Sequence, residues 1–321
     1  MNTKKAHSFT GQLCAFYVII TLYQALGVRF KMNTDYDFAM ERKLRELDPE
    51  LHKRFTESVF GLQNILSNYM LIFPTFTDHT ELHSMNVIDF CNQIIGSQLE
   101  NLNADEIYSL LMGCYFHDTG MGIREKDFEE FSKQIDFGDY FETHSRDSIP
   151  DIVRDFHNEF SGLFLKKYSG LFDIPSENHL RAIIQISRGH RKTNLMDEEE
   201  YPIALPVPGG NTICFPYLSS LIRLADEIDV AAGRNLSFLY HSETLTNEKD
   251  IIEFGKHEAI KEVEVLEDRF VLKVDTDDDF VYNNIKKMSQ KMQKTVDECN
   301  LAVTGRTPYI ITQKSIEIRK I

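Results

Sequence analysis

Apolar residues recur at helical spacing over most of the chain. Between Asp37 and Met70 they fall at Leu44, Leu47, Leu51, Phe55, Val59, Leu62 and Leu66, which places them on one helical face. Pro74 closes that region, and a second helix is expected from near Asp78 to about Leu99. A third starts after Asn103, whose side chain can cap it, and Glu106 completes a capping-box pattern. Ile107, Leu110, Leu111, Met112, Cys114, Tyr115 and Phe116 cover most of this helix's circumference, so it should sit at the centre of the core. It runs into His117-Asp118, then Gly120 and Gly122. Further helices are expected at about 144–168, 177–189 and from Pro216 to Ala232, with the Pro- and Gly-rich stretch 201–212 as a loop.

After Asn235 the period shortens. Val263 to Leu266 and Phe270 to Val274 alternate around Glu267-Asp268, as a hairpin does. Phe280 to Leu301 reads as a helix, and Ile316 and Ile318 as part of a last strand. The predicted fold is mainly α: a helical body over 37–235 carrying a small α+β module over 236–321, with the change falling near 236–256.

Composition narrows the function. The 321 residues hold 35 Lys+Arg against 50 Asp+Glu, a formal charge of −15, which opposes a general duplex nucleic-acid binder because such a protein needs a basic face. Small phosphorylated ligands stay open, since a metal can neutralise their charge locally. Cys14, Cys91, Cys114, Cys214 and Cys299 are odd in number and form no CxxC pair, as expected of reduced thiols in a cytoplasmic protein. The uncharged stretch Gly11 to Val28, flanked by Lys4, Lys5, Arg29 and Lys31, is similar to a signal peptide or marginal membrane anchor, but Gln12, Thr21 and Gln24 interrupt it. Residues 1–36 are therefore read as a leader or as an extension upstream of a start at Met32, and membrane association is not expected.

The chemistry concentrates in a few residues. His117 and Asp118, at the end of a buried helix, can both face one cation, and imidazole with carboxylate suits Zn, Mn or Fe. A carboxylate that merely steadies a structural histidine is the plain alternative. His79 and His83 lie four apart and share a helix face. His157 sits in Phe156-His157-Asn158-Glu159-Phe160-Ser161, and His190 follows Ser187-Arg188-Gly189. Asp226 interrupts the otherwise apolar run Leu221 to Ile228 and needs a partner, which is either Arg223 one turn back or a metal.

The order His83, His117-Asp118, Asp226 resembles the H…HD…D signature of the HD superfamily of metal-dependent phosphohydrolases. Asp78-His79-Thr80-Glu81-Leu82-His83-Ser84 is similar to a "DHgxxHs" opening, and Phe116-His117-Asp118-Thr119-Gly120-Met121 to an "HDiGM" segment. His157 to Ser161 resembles "HxExS", and Leu221 to Asp229 resembles "LlRlADelD". The resemblance covers roughly residues 40–235 and implies roles. His83, His117, Asp118 and Asp226 would bind one divalent metal, and Asp118 would bridge to a second held by His157 and His190, the ions being Mn, Fe, Zn or Mg. Two such cations activate a hydroxide and clamp phosphoryl oxygens. Asp118, Glu159 and His79 are the candidates for catalytic or proton-transfer roles, Glu81 being a weaker one, and Arg188, Arg191 and Lys192 are the candidates for binding substrate phosphates. The basic trio has a plain reading as well, a helix end complementing its dipole. The adjacent His-His pair and the GYP tripeptide of other HD branches are absent, and Thr119 replaces the usual aliphatic residue after HD, which leaves the substrate open.

The expected function is hydrolysis of a phosphate ester on a nucleotide or related small molecule, as a phosphohydrolase or phosphodiesterase. A di-iron HD-fold oxygenase and a nucleotide-sensing HD protein that acts through a partner are the alternatives, and a homo-oligomer is not excluded. Asp275-Thr276-Asp277-Asp278-Asp279 imitates a calcium loop, but Phe280 stands where glycine is needed, so it should be a helix cap. His144, His179, His241 and His257 lack motif context and are expected at the surface.

Overall fold

The computed structural model describes residues 38–66, 81–144, 148–231 and 248–321. The leader at 1–36, the segment holding His79, His241 and the chain between 232 and 247 lie outside them. Two helices, α1 (Ala39–Leu47) and α2 (Pro49–Leu66), meet at Asp48, whose carboxylate accepts from the Glu50 and Leu51 amides at 3.0 Å each and so caps α2. Next come α3 (Glu81–Ile95), α4 (Ala104–Phe116), a 3₁₀ turn at Thr119–Gly122, α5 (Glu125–Phe131), α6 (Tyr140–Thr143), α7 (Ile149–Tyr168) and α8 (Glu177–Arg188). α9 spans Phe215–Ile228.

The Asn103 side chain accepts from the Glu106 amide at 3.0 Å and Glu106 Oε2 accepts from the Asn103 amide at 3.2 Å, the reciprocal box expected for α4. Every residue of α4 from Asp105 to Phe116 is buried. Its apolar circumference is met by α1, α2, α3, α8 and α9, which pack around it. It ends where chemistry begins, so the HD pair is held at the middle of the bundle.

The stretch expected as a plain loop contains a short antiparallel ribbon, β1 (Leu205–Pro206) with β2 (Thr212–Ile213), and Gly209 (φ 98°) and Gly210 (φ 96°) make its turn. The C-terminal part holds α10 (Glu248–Ala259), β3 (Ile260–Val265), β4 (Arg269–Val274), α11 (Asp279–Val303) and β5 (Ser315–Lys320). β3 and β4 are antiparallel; α11 then crosses over and returns the chain as β5, parallel to β4. Asp278 accepts from the Phe280 and Val281 amides, so the calcium-loop imitation is a cap. Residues 38–321 pack as one unit, with α11 lying along α9.

Two histidines expected at the surface are buried. His179 Nε2 donates to Asp105 Oδ1 at 2.8 Å, and His257 Nδ1 donates to the Val230 carbonyl at 2.8 Å. Each finds its acceptor on a distant part of the chain, so neither local sequence announces its burial. Cys91, Cys114, Cys214 and Cys299 are buried free thiols. No helix among the described residues is long and apolar enough to cross a membrane.

Candidate metal centre

Four histidines reach one buried point from different elements. His83 comes from α3, and His117 caps the C-terminus of α4. His157 lies on α7 directly after Phe156, where the helix is kinked (φ −119°, ψ 17°). His190 follows the end of α8. All four are at most 3 % exposed.

Their tautomers follow from their partners. His117 Nδ1 bonds to the Cys114 carbonyl at 2.7 Å, His157 Nδ1 to the Arg154 carbonyl at 2.6 Å and His190 Nδ1 to the Ser187 carbonyl at 2.5 Å. His83 Nδ1 bonds to Asp229 Oδ2 at 2.7 Å. Carbonyl and carboxylate oxygens only accept, so each Nδ1 carries a proton, and a ring that is neutral then turns its Nε2 lone pair to the cluster. These lone pairs face one another, with His83 and His117 Nε2 3.1 Å apart and His157 and His190 Nε2 2.8 Å apart. Opposed lone pairs in a dry interior call for positive charge.

The carboxylates stand where they complete that demand. Asp226 Oδ1 is 3.2 Å from His83 Nε2 and 3.9 Å from His117 Nε2. Asp118 divides its oxygens: Oδ2 lies 3.3 Å from His83 and 3.2 Å from His117, whereas Oδ1 lies 3.3 Å from His157 and 3.9 Å from His190. Two triads result, His83–His117–Asp226 and Asp118–His157–His190, each with its ligand atoms within 4.8 Å of one another. The donor set therefore fits metal cations. Burial, reinforced by His157 and His117, pushes His190 well below the usual imidazole value, so it is neutral as a ligand must be. The Asp226 side chain is 21 % exposed while those of Asp118 and the histidines are nearly sealed, so solvent reaches the cluster from the Asp226 side.

The turn after the HD pair is clamped to α7. Gly120 N donates to Ser161 Oγ at 2.8 Å, and Ser161 Oγ donates to the His117 carbonyl at 2.6 Å. A Cβ on Gly120 would lie 2.2 Å from the His157 carbonyl oxygen, so only glycine allows this approach. Gly120 and Ser161, each inside a recognised motif, thus fix α4's end against the turn that carries His157.

Other candidates divide. Arg188 forks onto Glu159, 3.0 Å to each oxygen, and also bonds Glu200. Both residues are thereby engaged as a strut between α7 and α8. Arg191 and Lys192 follow His190, half-buried and exposed respectively. Arg191 acts electrostatically on Glu227, next to Asp226. Of the two partners open to Asp226, Arg223 is turned elsewhere and bonds the chain after α8. His79 lies outside the described residues. Asp229 was missed, although it closes the "LlRlADelD" segment three residues after Asp226 and so shares its helical side.

The HD-CE family model matches residues 73–292, more than half of the chain. This chain belongs to the HD-CE family. The HD-CE match spans α3 to α9, with all six cluster residues, and continues through β3 and β4 into α11. No curated protein and no solved structure matches the chain.

Proposed function

We propose that this HD-CE protein is a metal-dependent hydrolase that cleaves a phosphate ester of a nucleotide or related phosphorylated small molecule. The carrying observation is Asp118, whose two oxygens serve two separate histidine clusters. His83, His117 and Asp226 would hold one cation, His157 and His190 a second, and Asp118 would bridge them. Bound there, two divalent ions supply a water acidic enough to ionise near neutral pH and a clamp for phosphoryl oxygens.

The protein's own groups do the rest. Neutral imidazoles bring no charge, so Asp118 and Asp226 leave the cation pair with an excess that attracts an anionic ester. The Asp226 edge admits the ester, and Arg191 and Lys192, beside His190, would receive its phosphate. The alternatives, di-iron oxygen chemistry and ligand sensing without turnover, are outcomes of the same test.

The test is a nucleotide and phosphate-ester screen of the full chain loaded with Mn, Fe, Zn or Mg, beside the His117→Ala/Asp118→Ala double variant. Turnover that vanishes in the double variant supports the reading. Turnover that survives it, or metal-loaded protein that cleaves nothing, rejects it, and a mixed-valent iron signal with no ester cleavage moves it to the oxygenase.

A further inference from the structure

His190 is held differently from its fellow ligands. His83, His157 and Asp226 lie within helices, and the His117-Asp118 turn is closed by a 3₁₀ helix on its far side. His190 instead begins an irregular strap, 189–193, between α8 and the ribbon. Backbone bonding is long at its centre, where His190 N lies 3.4 Å from the Ser187 carbonyl and Arg191 N 3.3 Å from the Arg188 carbonyl, and short at its ends, where Gly189 N lies 2.8 Å from the Gln185 carbonyl and Thr193 N 2.6 Å from the Arg191 carbonyl. Helix C-termini leave carbonyls short of backbone donors, and a side chain can supply donors to those of the strap.

Arg223 supplies them. It is 7 % exposed and rises from the middle of α9 among Leu221, Ile222 and Leu224. Its Nε donates to the Gly189 carbonyl at 2.7 Å. Its Nη2 faces the Arg191 carbonyl at 2.5 Å, the Thr193 carbonyl at 2.8 Å and Thr193 Oγ1 at 3.0 Å. The bonded carbonyls bracket His190 on both sides. A guanidinium is planar and rigid, so it fixes these acceptors relative to one another and not merely to itself. The strap also lies hard against α9: a Cβ on Gly189 would come within 2.5 Å of Ser219 Cβ.

We infer that Arg223 is a positioning residue for metal, which builds the Asp118–His157–His190 subsite by holding the strap that carries His190, and which the His83–His117–Asp226 subsite does not need. Arg223 bonds the strap and no cluster residue, so it acts only through the strap. The inference rests on the reading of the cluster as two cation subsites, and it deepens that reading by making their occupancies separable.

The test is Mn²⁺ titration of the full, metal-stripped chain. It reads equivalents bound, the Kd of each, and the electron paramagnetic resonance of the loaded protein. The parent should take up two equivalents and give an exchange-coupled signal. Arg223→Met should keep the first equivalent, weaken the second by about 10–100-fold, as loss of a group orienting a ligand does, and give a six-line mononuclear signal. Arg223→Lys, with one donor head in place of a fork, should fall between them. A merely structural role would depress both equivalents together with the melting temperature. Should Arg223→Met fail to fold, Arg223→Lys and Thr193→Val, which removes one acceptor, carry the same readouts. Two equivalents of parental affinity in the folded variants, or parallel loss of both, overturns the inference. A parent that binds no metal removes the proposed function and this inference with it. A parent that binds two equivalents but turns over no ester rejects only the hydrolase.

Discussion

The side chains that do not touch the cluster's centre decide how well it works. Three of its imidazoles are oriented by backbone carbonyls, whereas His83 alone is oriented by a carboxylate, Asp229, at 2.7 Å. A carboxylate raises ring basicity more than a carbonyl does, so His83 is the strongest imidazole donor of the set. Asp229→Leu should weaken metal binding at the His83–His117–Asp226 subsite by about 10–100-fold, measured by competition with a chromophoric chelator; unchanged affinity would remove Asp229 from the site. Gly120 makes the complementary case through space. Its hypothetical Cβ meets backbone, the His157 carbonyl oxygen at 2.2 Å and Ser161 N at 2.8 Å, and backbone of a packed helix cannot step aside. Gly120→Ala should cost at least about 1–3 kcal/mol in urea unfolding, the usual range for overpacking, and should lower metal uptake because α4's end and His157 shift apart. A variant of parental stability and uptake would mean that the turn is more compliant than its geometry indicates.

Between elements, the bundle is tied by pairs whose partners are far apart in the chain. Asp105 at the start of α4 accepts from His179 Nε2 of α8 at 2.8 Å and from Asn211 Nδ2 of the ribbon turn at 2.7 Å. Burial raises its carboxyl pKa, but these two hydrogen bonds outweigh burial, and the net displacement is below the ordinary 3.8. A depressed folded value means that the unfolded chain binds the proton more tightly. The contribution is therefore fully present above 3.8 and is lost as pH falls through the folded value. Asp105→Asn should be less stable than the parent by about 1–3 kcal/mol at neutral pH, and the gap should close on acidification; a gap independent of pH would contradict the ionic role. These ties also mark the limit of what was legible in the sequence. The α4 cap was, because Asn103 and Glu106 are three residues apart, and so were the six residues of the His/Asp cluster, because each lies in a compact local motif. The Arg188–Glu159 strut was not: Arg188 stands two residues before His190, which suggested phosphate, and only the facing side of α7 shows its pairing with Glu159. The burial of His179, the strap role of Arg223 and the ribbon across 205–213 escaped for the same reason, since a two-residue strand leaves no alternation to read.

At the scale of the molecule, the C-terminal α+β module packs closely on the helical body, with α11 against α9. α11 buries Ile285, Met292, Val296 and Val303. Beyond it, Tyr309 stacks on Tyr217 of α9 with ring centroids 4.3 Å apart, and its hydroxyl donates to Glu106 Oε2 at 2.6 Å. The last turn of chain before β5 thus reaches the same capping box that starts α4, the helix that ends in the HD pair. Glu106 answers to this enclosure: burial raises its carboxyl above the ordinary range even though Tyr309, Asn103 and Cys214 all donate to it. Full burial of each large aliphatic side chain contributes about 1.5–3 kcal/mol, so the four on α11 together match the roughly 5–15 kcal/mol by which a whole domain is stable. A chain ending at residue 247 would expose α9's covered face, strip Glu106 of its tyrosine donor and free Arg223 from α11, where Nη1 lies 3.8 Å from Glu298. Such a truncation should be insoluble, or soluble with a broad thermal transition, dye-binding apolar surface and no cooperative metal uptake. Tyr309→Phe in the full chain separates the hydrogen bond from the packing: it should fold, lose about 1–3 kcal/mol and bind metal as the parent does. A truncated chain that melts cooperatively and takes up two metal equivalents would show that the helices up to α9 suffice, and that α11 merely rests on them.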